Sequence, residues 1–139
     1  MGKIKLDLNS MKIISLFETI TRASVRDCFE DEDRMILIVN EGEIGKAIGK
    51  GSVNVRKIEN ALKKKVRIIE YNADMQKFVR NVVFPLRLEE VSIEGNVMMI
   101  SAADHKTRGL LIGRSAQNLR SYERVIKRYF PIDELKVRS

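Results

Sequence analysis

A glycine-centred stretch occurs twice in this chain, and that repetition restricts the possible folds more than any other feature. The first copy reads Gly45-Lys46-Ala47-Ile48-Gly49-Lys50-Gly51-Ser52-Val53-Asn54-Val55-Arg56, the second Gly109-Leu110-Leu111-Ile112-Gly113-Arg114-Ser115-Ala116-Gln117-Asn118-Leu119-Arg120. Gly113 follows Gly49 by 64 residues. The same offset pairs Met35 with Met99, Ile36 with Ile100, Glu59 with Glu123 and Lys63 with Lys127. This many identities in one ungapped register mark a tandem duplication. Length alone would suggest one domain for 139 residues. The repeat instead divides the chain into a first domain over 1–72, with an N-terminal strand and helix, and a second over 73–139.

Charge follows the repeat. Of the formal +7, the window Glu41–Lys65 holds seven Lys/Arg against three Glu, and Lys106–Arg128 holds seven against one. The two windows therefore carry +10 and the remainder −3. A merely solvated surface does not require that concentration, whereas a polyanionic partner does. Cys28 is the only cysteine and His105 the only histidine. That excludes an internal disulfide and a cysteine metal cluster, and it disfavours histidine-based catalysis. No cofactor and no enzymatic activity are expected, and His105 reads as a loop or helix-start residue. The N-terminus lacks an apolar signal core and no apolar run reaches membrane-spanning length, so no membrane partner and a cytoplasmic location are expected.

Hydrophobic periodicity sets out the elements. Lys3 to Leu8 alternates as a short strand does, and Asn9 or Ser10 then caps a helix over Met11 to Thr21 with Ile13, Ile14, Phe17 and Ile20 on one face. Strands follow at Ala23 to Glu30 and Arg34 to Asn40, joined by a solvated acidic turn at Glu30-Asp31-Glu32-Asp33. A short helix over Glu43 to Ile48 ends at the glycines. A longer one from Ser52 to Lys64 buries Val55, Ile58, Ala61 and Leu62, and a strand spans Val66 to Tyr71. The order then recurs without a linker. Asp74 caps a helix from Met75 to Phe84, strands cover Leu88 to Ile93 and Val97 to Ala102, and a short helix covers Lys106 to Leu111. The last helix, Ala116 to Tyr129, has Leu119, Tyr122, Val125, Ile126 and Tyr129 as its core face, and a strand closes the chain at Ile132 to Val137.

A loop of glycine and a basic residue between two helices suits a sugar-phosphate backbone. Gly49 and Gly113 allow close backbone approach, the helix that follows presents the positive end of its dipole, and Lys50 or Arg114 adds a full charge. Arg56 and Arg120 lie one turn into that helix, and Asn54 and Asn118 are placed to hydrogen-bond either bases or the loop backbone. A nucleotide-binding P-loop does not fit. It needs four residues between its glycines and Ser or Thr directly after Lys, whereas three separate Gly45 from Gly49, Gly51 follows Lys50, and the second copy has Arg114.

Ile48-Gly49-Lys50-Gly51-Ser52 and Ile112-Gly113-Arg114-Ser115-Ala116, each between two helices after an apolar strand, resemble the Ile-Gly-x-x-Gly loop of KH domains. The helix-strand-strand prelude is similar to the type II KH arrangement. Ile-Gly-Lys-Gly-Ser-Val-Asn-Val-Arg resembles a stretch of NusA transcription factors, and two adjoining KH units filling the chain resemble the short archaeal NusA-like proteins. The resemblance implies an α+β fold of two tandem type II KH domains, each a small three-stranded sheet packed against helices. It implies single-stranded RNA as partner, about four nucleotides per unit, with RNA polymerase or the nascent transcript complex as a further partner. The implied RNA-binding residues are 48–52, Asn54 and Arg56 in the first copy and 112–116, Asn118 and Arg120 in the second. Ser52 and Ala116 depart from the family's final glycine. Ser52 is expected to cap the helix, and the second loop, with Ser115 as well, is expected to clamp a backbone less tightly than the first. A KH protein of ribosome assembly or RNA processing is one alternative. The other is a protein-interaction adaptor whose degenerate loops no longer hold RNA.

Overall fold

The computed structural model describes residues 8–139. The chain forms two compact units, one ending at Asn72 and the other running from Ala73 to Ser139. In the first, helix α1 (Leu8–Thr21) is followed by β1 (Val25–Asp31), β2 (Arg34–Val39), α2 (Ile44–Ile48), α3 (Val53–Leu62) and β3 (Lys65–Glu70). The second repeats this order with α4 (Met75–Val83), β4 (Glu90–Glu94), β5 (Val97–Ser101), α5 (His105–Ile112), α6 (Gln117–Lys127) and β6 (Glu134–Val137). Among the described residues each unit is α+β, with one three-stranded sheet and three α-helices.

Both sheets have the same topology. The first two strands pair antiparallel across a tight turn, β1 with β2 and β4 with β5. The third strand lies parallel to the second, Arg34 opposite Lys65 and Val97 opposite Glu134. A parallel pair needs a long crossover, and the two-helix segment carrying the glycine loop is that crossover. The repeated motif is thus the connection that closes each sheet.

The apolar run Met35–Val39 is buried throughout, as a central strand should be. Met35, Leu37 and Val39 share a core with Phe17, Cys28, Ala47 and Ile58, onto which Ile13, Ile14 and Ile20 of α1 pack. In the second unit Phe78, Val79, Val82 and Val83 of α4 and Leu119, Tyr122, Val125 and Ile126 of α6 are buried. Phe78 and Tyr129 meet edge to face at 5.3 Å.

Several local expectations change. The strand expected at Lys3 to Leu8 lies outside the described residues except for Leu8, which opens α1. Asn9 and Ser10 therefore sit inside the helix rather than capping it. The acidic turn shrinks to Glu32-Asp33, because Asp31 ends β1, paired with Arg34 and buried. On α3 only Ile58 is fully buried: Val55 and Leu62 are half-buried and Ala61 faces solvent. Among the described residues, no helix is long and apolar enough to cross a membrane.

Candidate nucleic-acid interface

Each crossover turns at its glycine. Gly49 has φ 75° and ψ 167°, and Gly113 has 74° and 178°, a region essentially reserved for glycine. Two left-handed residues follow in both copies. They are Gly51 (62°, 27°) and Ser52 (61°, 25°) in the first, Ser115 (54°, 33°) and Ala116 (60°, 22°) in the second. The second loop therefore has the backbone of the first, although L-residues take left-handed geometry at a cost of about 1–2 kcal/mol each. The lost glycines leave the conformation of the second loop unchanged. Ser52, held left-handed, makes no side-chain cap hydrogen bond, so its expected capping role is absent.

The glycines are needed for a reason other than ligand approach. A Cβ on Gly49 would lie 2.8 Å from Asn54 Nδ2, and one on Gly113 would lie 2.7 Å from both Cγ and Nδ2 of Asn118. The asparagine fills the space each glycine leaves. From there Asn54 Nδ2 donates to the Lys46 carbonyl at 2.8 Å and Asn118 Nδ2 to the Leu110 carbonyl at 2.9 Å. Of the two roles open to these asparagines, the structure shows the loop-backbone one. They tie the start of α3 or α6 to the preceding short helix and hold the turn in shape.

Lys50 and Arg114 stand exposed at the loop tips, Ile48 and Ile112 are half-buried behind them, and Ala47 and Leu111 anchor the short helices in the cores. The paired arginines diverge. Arg56, exposed on α3, donates from Nη1 to the Gly51 carbonyl at 2.7 Å, which holds its guanidinium against the loop. Arg120 turns the other way, bonding Glu123 Oε2 at 2.7 Å through Nη1 and the Leu135 carbonyl at 3.2 Å through Nη2. Its charge is matched by a buried carboxylate, and it braces α6 against β6 rather than joining the loop.

Glu59 and Glu123, part of the repeat but not expected in any role, perform one job. Glu59 Oε2 accepts from the Val66 amide at 3.0 Å and Glu123 Oε2 from the Leu135 amide at 2.8 Å. Each fastens the third strand to the helix after the loop. Their identity across the repeat was the available signal. Lys57, exposed on α3 one residue beyond Arg56, is a further cation that the motif did not single out. Tyr122 is buried, in keeping with a core role.

Ahead of the second motif, Asp104 caps α5, accepting from the Thr107 amide at 2.7 Å. That backbone hydrogen bond, with smaller help from the Thr107 side chain and Lys106, holds the Asp104 carboxyl below its ordinary range. His105 is the first residue of the helix.

Comparison with known proteins agrees with this geometry. The family model described as KH domain matches residues 12–94. A protein of Methanocaldococcus jannaschii named "Probable transcription termination protein NusA" is 35% identical over 140 residues, spanning 99% of this chain and 76% of its own. The protein of the same name from Halobacterium salinarum is 31% identical over 96% of this chain and 98% of its own. The solved structure titled "Crystal structure of APE1850" superposes with a TM-score of 0.81 at 27% identity, covering 96% of this chain and all of that one. With this sheet topology repeated around two glycine-turned crossovers, the chain belongs to the KH domain family, as a tandem type II KH protein of the archaeal NusA-like group.

Proposed function

We propose that this protein binds single-stranded RNA through the loops at 49–52 and 113–116 and acts in transcription, in elongation or in termination and antitermination. The observation that carries the reading is the duplicated loop. Two backbones of the same left-handed geometry each present an exposed cation, Lys50 or Arg114, beside the start of a long helix. A turn kept in shape against strain at two places suits a repeated contact with a repeating polymer. The names of the curated relatives supply the transcriptional setting. The role is recognition rather than catalysis, and RNA polymerase or the nascent transcript complex is the further partner this setting suggests.

The deciding experiment titrates single-stranded RNA oligomers of increasing length at several salt concentrations. A strand contacting both loops needs about eight nucleotides. The exposed cations Lys50, Arg56, Lys57 and Arg114 give a log–log salt slope of about −3, at roughly 0.7 per phosphate. Lys50→Asp/Arg114→Asp should abolish binding while leaving the fold intact. If this double variant binds RNA as well as the unmodified protein, the loops are not the interface and the adaptor reading takes over.

A further inference from the structure

The two loops share a backbone but not an electrostatic environment, and that difference carries an inference resting on the RNA-binding reading above. Around the first loop, Lys50 at the tip and Lys57 on α3 are exposed and have no carboxylate partner among the described residues. Arg56 joins them, its guanidinium fixed at the Gly51 carbonyl with no acidic neighbour bonded. Lys46 is also exposed, but Glu43 lies 3.5 Å from it and offsets its charge. Lys50, Arg56 and Lys57 thus have no carboxylate partner among the described residues.

At the second loop the same positions hold less charge. Arg114 matches Lys50 and is exposed. Arg120 matches Arg56, but Glu123 neutralises it and the Leu135 carbonyl takes its other end. Ser121 stands where the first copy has Lys57, and Leu110, 47% exposed, stands where the first has Lys46. At these matched positions one cation is left without a carboxylate partner among the described residues.

We infer that the two copies hold RNA by different means. The first loop grips the phosphate backbone electrostatically, while the second contacts it with a single charge and otherwise through Leu110, Ser115, Ala116 and its backbone. Affinity contributed by the first copy is then strongly salt-dependent, and that from the second is less so. The glycine content of the loops does not set this difference, since their dihedral angles agree. Ser121 and the pairing of Arg120 with Glu123 do.

The test compares salt slopes for one single-stranded RNA of about twelve nucleotides, enough for two sites of roughly four. At about 0.7 per phosphate, Lys50→Gln/Lys57→Gln should flatten the slope by roughly 1.4 and Arg56→Gln by roughly 0.7. Arg114→Gln should flatten it by no more than about 0.7, and Arg120→Gln should leave it unchanged. Equal flattening by Arg120→Gln and Arg56→Gln, or a larger effect of Arg114→Gln than of the lysine pair, overturns the inference. Should Arg120→Gln fail to fold, the variants at the exposed Lys50, Lys57 and Arg114 still decide. Absence of any RNA binding by the unmodified protein sinks the functional reading itself, and is distinguishable from binding with evenly shared slopes.

Discussion

Substituting glycine for Ala116 should stabilise the protein, whereas the reverse change three residues earlier should cripple it. Ala116 has φ 60° and ψ 22° at the start of α6. Its Cβ in left-handed geometry costs about 1–2 kcal/mol. Glycine removes that strain but gives the unfolded chain about 0.4–1 kcal/mol more conformational entropy. The difference is a net gain of about 0.5–1 kcal/mol. For a chain of this size that corresponds to a rise in Tm of roughly 2–5 °C. Gly113→Ala meets the opposite situation. Its φ of 74° with ψ of 178° admits essentially only glycine, and the new Cβ would sit 2.7 Å from Asn118. Either the backbone turns or Asn118 leaves the Leu110 carbonyl, for a loss of about 2–4 kcal/mol. Thermal and urea unfolding followed by circular dichroism measure both. A fall in Tm for Ala116→Gly, or a neutral Gly113→Ala, would refute the assignment of strain to these two positions.

Asn54→Ala and Asn118→Ala should each lose about 1 kcal/mol by urea titration, since each removes one hydrogen bond to the preceding helix. Their RNA affinity should fall through a loosened loop, with little change in salt slope, whereas a direct base contact would appear as changed sequence preference. Glu123→Ala should cost about 2–4 kcal/mol, because it leaves the buried Leu135 amide and Arg120 without their acceptor. Glu59→Ala, which strips a less buried amide, should cost less. The carboxyl of Asp104 should titrate below 3.8 by NMR. A depressed folded pKa means its cap stabilises above the unfolded pKa and is lost as pH falls through the lower folded value, so the Thr107 amide should lose hydrogen-exchange protection only as pH falls below the ordinary carboxylate range. A midpoint at or above the ordinary carboxylate value would contradict the cap.

The sequence by itself determined the duplication, the type and order of the described elements, and the placement of the glycine turns between helices. These are local matters. Periodicity along α6 marks Leu119, Tyr122, Val125 and Ile126 as core because neighbouring turns of one helix share a face, and all four are buried. Asp74 announces a helix start because a cap bonds amides two or three residues on. Tertiary structure decided what the repeated polar residues do. Asn54 reaches back eight residues to Lys46, and Glu123 reaches forward twelve to Leu135. Arg56 and Arg120 are the same residue in the same motif, yet one faces the loop and the other the last strand. Side-chain partners so distant in the chain depend on how the third strand docks against the helix, and no local pattern encodes that. The identities across the repeat showed that these positions matter, but only the packed units distinguish a residue that holds the turn from one free to meet a ligand.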